Sequence, residues 1–431
     1  CGWGFRKQGF IKKGVRQMAK REYTHMFKPF KIGSVELKNR LAMAPVTTNY
    51  TLAGYPNEQF IAFLAARAKG GVGLLVTPPA VNLFPGSPTH VVFPLLSEKA
   101  HIPLWNEVVE TIHAFGAKAV GQVLVGGVGR QTAPGTTSKA PSPVSIKEIP
   151  PENIPPKSRE YEERKGLPCL WDRYKNLPVP QELSLEEIEW IEDAYAKTSG
   201  LLKECGFDGS ELHFAHGYLG DNFFSPRTNL RTDAYGGSLE NRARVFRNAI
   251  LKTRAQVGPD FLIGVRLTGN EHVPGGLTIE ESSRIAKIGE EEGLDYVHLT
   301  AGCWEAVKWY VPEEDGTMLP EAEGMKSILQ IPVITPAIHR PENAEKAIKE
   351  GKTDMVSFCR PLIADPEWAN KVARGEEKKI RKCIRCLGCL QRTRRALGLR
   401  CEVNREVGQE RYNPEYHRLS APNWKEYALP K

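Results

Sequence analysis

Short apolar runs alternate with amphipathic stretches along most of this chain. Leu41-Ala-Met-Ala-Pro45 reads as a buried strand, and Glu58–Lys69 follows with apolar residues at helical spacing. Val72–Val76, a helical stretch over Leu104–Phe115 and the strand Ala117–Val125 repeat the pattern. Ser184-Leu-Glu-Glu187 is a capping box, in which the serine accepts from the N–H of the glutamate and the glutamate reaches back. Behind it Ile188, Ile191, Tyr195 and Leu202 form one helical face, and Cys205–Leu212 makes the apolar approach of a fourth strand. Helix Leu239–Val257, strand Phe261–Arg266, a helix capped at Thr278 and strand Tyr296–Thr300 come next. Strand Ile331–Thr335, helix Glu342–Lys349, strand Asp354–Phe358 and helix Asp365–Ala373 complete the series. Eight short apolar strands with helices between them predict a (β/α)8 barrel over residues 25–375 rather than an open doubly wound sheet.

Three segments break the rhythm. Residues 1–24 are basic and lack an apolar period, so they read as an N-terminal arm. Residues 130–180 are rich in Pro, Ser, Lys and Glu, which fits a long loop at the rim of a barrel site. Residues 376–431 form a small C-terminal extension.

The net charge of +8 is uneven. Residues 1–21 carry seven Lys or Arg and no acid, and residues 371–406 carry twelve bases against four acids, leaving the rest net acidic. Two local basic features do not make the basic face of a nucleic-acid binder. No apolar run reaches the roughly 18 residues of a membrane span. Of nine cysteines, four crowd together as Cys383, Cys386, Cys389 and Cys401. That is metal-site usage rather than a secreted disulfide framework, and a cytoplasmic location is expected. The chain begins at Cys1, which reads as a processed or partial terminus. Gly126-Gly-Val-Gly129 lacks the third glycine and acidic partner of a dinucleotide fingerprint.

The chemistry concentrates in Glu211-Leu-His-Phe-Ala-His-Gly-Tyr-Leu219, which continues through Phe224-Ser-Pro-Arg-Thr-Asn-Leu-Arg to Tyr235-Gly-Gly-Ser-Leu-Glu-Asn-Arg. His213 and His216 at a strand end suit donation to one substrate oxygen, and Tyr218 suits proton delivery. Taken alone, two histidines at a strand end are more often structural. The whole run resembles the old yellow enzyme family of flavin-dependent ene-reductases, in the branch of 2,4-dienoyl-CoA reductase and trimethylamine dehydrogenase. The resemblance covers roughly residues 25–408.

That resemblance implies an FMN held at strand ends, with Pro45 and Thr47 after the first strand and Gln122 on the third. Arg266 on the fifth would balance the reduced flavin, and Cys359-Arg360 after the eighth would hold its phosphate. Two positions depart from the family. Pro78 has no N–H to offer where relatives use one, and Pro336-Ala337 leaves only the Ala337 or Ile338 backbone near the phosphate.

Cys383, Cys386, Cys389 and Cys401 stand as C-x2-C-x2-C-x11-C. From spacing alone zinc is an alternative; the resemblance implies one [4Fe–4S] cluster. Relatives with this cluster usually continue into FAD- and NAD(P)-binding domains, and the chain reaches Lys431 soon after Cys401. The expectation is either a truncated sequence or an electron-donating flavoprotein or ferredoxin-like subunit, docking through the basic run around Arg392, Arg394 and Arg395; an oligomer is compatible. The expected substrate is a small unsaturated carbonyl compound. A second reading is an amine dehydrogenase or demethylase using Trp304, Trp309 and Tyr310 as a cation cage. A third is an electron-transfer subunit whose barrel is only a scaffold.

Overall fold

The computed structural model describes residues 23–87, 93–130 and 138–422. The basic arm lies almost wholly outside the described residues.

The eight predicted strands all form: β1 Leu41–Met43, β2 Leu74–Val76, β3 Lys118–Gly126, β4 Gly209–Phe214, β5 Leu262–Thr268, β6 Tyr296–Thr300, β7 Val333–Thr335 and β8 Met355–Phe358. All pair in parallel, each with its neighbour in the sequence. β8 returns to β1 through Val356↔Leu41 and Phe358↔Met43, so the sheet closes into a barrel. A short extra strand, Ala80–Leu83, pairs with the end of β3 outside the ring. The intervening helices are α1 Glu58–Lys69, α2 Ile102–Ala114, α3 Leu185–Glu204, α4 Arg244–Val257, α5 Ile279–Glu291, α6 Leu319–Lys326, α7 Pro341–Lys349 and α8 Trp368–Ala373.

The capping box opens α3 as the sequence predicts, with Glu187 N–H donating to Ser184 Oγ at 3.2 Å. The single helix expected over Leu239–Val257 is divided at Ala243 into a short turn, Leu239–Arg242, and α4. Arg242 ties that turn to the Phe224 carbonyl and to Glu281.

The barrel interior is apolar at its lower end. Ala42, Leu74, Val76, Val120, Leu262, Tyr296, Ile334 and Met355 meet there under a hairpin, Phe30–Ile32 with Val35–Leu37. Gly264 is required beside Tyr296, because a Cβ at that position would lie 2.0 Å from the phenol ring.

Residues 138–183 carry their own apolar cluster. Ile146, Ile149, Ile154, Leu170, Trp171 and Leu177 pack with Trp304 and Val307 from the loop after β6. This places the long loop at the mouth of the barrel, as its composition predicts. Residues 376–422 wrap the same end and dock on α1 through a buried ion pair, Arg67 with Glu410. Tyr50, in the loop after β1, donates to the Leu399 carbonyl at 2.6 Å. This segment includes the helix α9, Gly388–Arg394. Among the described residues no helix is long and apolar enough to cross a membrane.

Candidate active site

At the C-terminal mouth of the barrel, where such folds keep their chemistry, lies a cavity of about 460 Å³. That is within the usual range for small-molecule and cofactor sites. Pro45, Thr47, Gln122, His213, His216, Tyr218, Arg266, Ala337, Cys359 and Arg360 all line it. Of the predicted cofactor residues only Pro78 is displaced. Its neighbour Pro79 forms the wall instead, and Pro78 is buried away from the cavity.

The element that organises the base of the site is Glu211, whose place in the motif the sequence shows but whose role it does not. Its buried carboxylate accepts from Gln122 Nε2 at 2.9 Å, from Tyr296 Oη at 3.2 Å and from His298 Nδ1 at 2.8 Å. Burial pushes its pKa up, but His298, Arg266 and Gln122 outweigh that and hold it below the ordinary carboxylate value. Gln122 is thereby locked with its amide on the cavity wall.

Arg266 stands next to this carboxylate. Burial lowers its pKa to about 10, with Glu211 opposing the fall, so it stays cationic at neutral pH. Its Nε and Nη1 are buried without a hydrogen-bond partner. Arg360 donates Nη2 to the Pro312 carbonyl at 2.6 Å and likewise leaves Nη1 unsatisfied. Buried donors are normally paired, so these two guanidinium groups are prepared for a ligand in the cavity.

A tight turn aims the catalytic candidates. His216 (φ 62°) and Gly217 (φ 72°) are both left-handed, which swings Tyr218 back over the barrel mouth. Gly217 can be nothing larger, since a Cβ would sit 2.7 Å from the Trp304 ring. Its N–H donates to Asp221 at 2.6 Å, and Thr268 accepts from the His216 N–H at 3.0 Å. The two imidazoles lie edge to face with centroids 5.4 Å apart, and the Tyr218 ring is 5.1 Å from His213. Burial, reinforced by Arg266, lowers the His213 pKa to about 3. Burial, with His213 and Arg266 adding to it, also holds His216 well below its ordinary value. Both rings are therefore neutral near pH 7. His216 Nε2 is paired with Thr300 Oγ1 at 2.8 Å, while His213 Nδ1 has no partner.

The aromatic residues after β6 do not form the open cage considered from the sequence. Trp309 stacks on His272, with centroids 3.7 Å apart, and takes no part in lining the cavity. Tyr310 faces His216, and Trp304 is covered by the guanidinium of Arg394, 4.5 Å above its ring. The three arginines of the expected docking run are half-buried, and each has a partner within the chain. Arg392 donates to the Gly398 carbonyl at 2.9 Å, Arg395 to the Pro168 carbonyl at 2.6 Å, and Arg394 to Tyr218 Oη at 3.2 Å. Arg394, Arg173 and Tyr174 thus join the cavity wall, which no local pattern in the sequence announces.

The four clustered cysteines are free thiols in one region. Cys383 lies within electrostatic reach of Cys386 and Cys401, and Cys389 within reach of Cys383, Cys386 and Cys359. Left-handed residues at Arg385 and Leu387 fold the cysteine turn, and the Arg385 N–H donates to Cys383 Sγ at 3.4 Å. Among the described residues no three His, Cys, Asp or Glu side chains are arranged to hold a single metal ion. Cys389 and Cys359 both line the mouth cavity, so the thiol turn abuts it directly.

A closed parallel barrel with unsatisfied guanidinium donors, a fixed amide and a neutral histidine pair at its mouth defines a cofactor-dependent barrel oxidoreductase. The chain belongs to the NADH:flavin oxidoreductase / NADH oxidase family, which it matches over residues 25–379. It is 37% identical over 399 residues to the NADH oxidase of Thermoanaerobacter brockii, covering 90% of this chain and 57% of that protein. It is 32% identical over 417 residues to the cinnamate reductase of Clostridium sporogenes, covering 91% and 59%. Among solved structures, a 2-naphthoyl-CoA reductase in complex with 2-naphthoyl-CoA superposes with a TM-score of 0.79 at 29% identity, covering 92% of this chain and 59% of that one. The chain thus spans less than two thirds of the length of these relatives. The old yellow enzyme resemblance read from the histidine motif holds.

Membership in this family makes a flavin the group to test against the cavity, and the donor set fits. Arg266 and Gln122 offer N–H donors and an amide to a polar ring edge, and Arg360 offers a free N–H suited to a phosphate.

Proposed function

We propose that this chain is an FMN- and [4Fe–4S]-dependent ene-reductase that reduces the activated C=C bond of an enone, enoyl thioester or similar acid derivative. The observation that carries the reading is the convergence of two neutral histidines, Tyr218 and Arg266 on one cavity.

His213 and His216 donate N–H groups to the substrate's carbonyl oxygen, and those bonds strengthen as enolate character develops. Because both imidazoles are neutral, they polarise the carbonyl without handing it a full proton. FMN, when bound, supplies a hydride to the β-carbon. Tyr218 delivers the proton to the α-carbon. Arg266 would supply compensating positive charge to the bound ring, and Gln122, fixed by Glu211, would orient it. Cys383, Cys386, Cys389 and Cys401 would hold the cluster, which would supply one-electron transfer. The electrons would come from a flavoprotein or ferredoxin-like donor, and Cys389, which lines the cavity together with Cys359, would place the cluster beside it.

Amine oxidation is the second reading, and one observation weighs against it. The Trp304 ring that would hold a substrate cation is already covered by Arg394, which would repel another positive charge.

The test is anaerobic purification with cofactor extraction, followed by two half-reactions: the chemically reduced protein with enones, and the oxidised protein with tertiary amines. Rapid reoxidation by an enone, with no flavin reduction by a tertiary amine, is the expected result. An absence of bound flavin, or flavin reduction by tertiary amines with no enone turnover, would overturn the proposal.

A further inference from the structure

We propose that Arg394 is the anion-recognition residue of the cavity, and that the substrate carries a free carboxylate. This rests on the ene-reductase reading above and narrows its substrate class.

Arg394 is the last residue of α9, yet its side chain reaches into the barrel mouth. Its Nη1 donates to Tyr218 Oη at 3.2 Å, and its guanidinium lies 4.5 Å from the Trp304 centroid. The phenols of Tyr310 and Tyr174 complete its surroundings. It is therefore ringed by neutral aromatic groups. Among the described residues no carboxylate forms an ion pair with it, in contrast to nearby arginines. Arg130 and Arg227 share Glu305 at 2.7 and 3.0 Å, and Arg395 approaches Glu162 at 3.5 Å.

A cation partly withdrawn from water without a counter-charge is costly. Here it borders an open cavity beside the proton donor, so the missing counter-charge fits a ligand. The guanidinium fork matches the two oxygens of a carboxylate. Arg173, from the long loop, donates to the Arg394 carbonyl and lines the same cavity, adding a second positive charge. A thioester brings no charge to this position and a tertiary ammonium brings the wrong one. The carboxylate has two possible places in such a substrate: conjugated to the double bond, as in a 2-enoate, or on an arm remote from an enone.

The experiment uses the full chain with its cofactors, chemically reduced, and four compounds: a 2-enoate, its methyl ester, and a cyclic enone with and without a remote carboxylate. A saturated carboxylate is also titrated by calorimetry, which needs no turnover. The parent is expected to prefer one acid over its neutral counterpart at least tenfold in kcat/KM. The pair that shows the preference identifies the conjugated or the remote carboxylate. Arg394→Gln should collapse that preference by about ten- to a hundredfold, as expected for a lost charge-assisted hydrogen bond, mainly through KM. Arg394→Lys should restore part of it, since charge survives without the fork. Equal rates for acid and neutral partners in the parent, or an undiminished preference in Arg394→Gln, would overturn the proposal. Should Arg394→Gln fail to fold, the parent's ratios and Arg394→Lys decide. If no alkene is reduced while saturated-carboxylate binding still depends on Arg394, the ene-reductase reading fails and the anion site stands.

Discussion

Arg67 on α1 and Glu410 in the C-terminal segment form an ion pair at 2.6 Å, with side chains 0% and 3% exposed. Arg67 also donates to the Phe63 and Leu362 carbonyls, and Glu410 accepts from the Gly408 N–H at 2.6 Å. The pair therefore locks the segment that carries the four cysteines onto the barrel. Removing one partner leaves a buried charge, which costs about 3–5 kcal/mol. Glu410→Ala should lower the midpoint of thermal or denaturant unfolding accordingly and loosen the cysteine segment. Limited proteolysis should then cut between residues 395 and 410 first. A variant as stable and as resistant as the parent would show that the pair does not anchor the segment.

The buried neutral histidines make stability depend on pH. The folded pKa values of His213 and His298 fall to about 3 and about 4, burial being the first cause in each. The unfolded chain binds these protons near pH 6.5, so it holds more protons than the native state at mildly acidic pH. Stability is thus fully present above pH 6.5 and is lost as pH falls toward 4 and then 3. The slope is about 1.4 kcal/mol per pH unit for each group. Guanidinium unfolding at pH 7, 6 and 5 should show the decline, and His213→Asn should reduce it. An unchanged slope in that variant would contradict the assignment.

Tyr218→Phe removes the proposed α-carbon acid and the acceptor of the Arg394 hydrogen bond, with no change in ring packing. Turnover of an enone should fall about 10²- to 10⁴-fold. Reduction of the bound flavin by an artificial donor should change little. Stopped-flow measurement of the two half-reactions separates these effects, and equal substrate reduction rates would remove Tyr218 from the mechanism.

Replacing both His213 and His216 by Ala should cripple enone reduction while flavin stays bound. The flavin contacts assigned here belong to Arg266, Gln122 and Arg360. Flavin content after gel filtration, compared with single-turnover rates, checks this. Loss of flavin with normal turnover of the remaining holoenzyme would reverse the roles.

Anaerobically purified protein should contain about four iron atoms per chain, as a [4Fe–4S] cluster requires, and Cys401→Ser should lower that content sharply. Zinc in place of iron would replace the cluster with a structural metal site.

Much of this architecture was legible in the chain because it depends on local pattern. Tyr296–Thr300 and Glu58–Lys69 form with the predicted bounds, since apolar runs and helical periods are decided within a few residues. The motif carrying His213, His216 and Tyr218 is likewise contiguous, and the left-handed Gly217 inside it turns them toward one cavity. Other features depend on how distant segments meet. Whether Pro78 or Pro79 reaches the cavity is set by the path of the chain leaving β2, and adjacent residues there point different ways. Trp304 and Trp309 share one loop, yet His272 claims Trp309 and Arg394 covers Trp304. Arg394 and Tyr218 are 176 residues apart. In the sequence that arginine is one base in a basic run, indistinguishable from a solvated neighbour. Only the docking of the C-terminal segment over the barrel mouth turns its charge inward, because a side chain's partners follow from tertiary packing and not from its own neighbours in the chain.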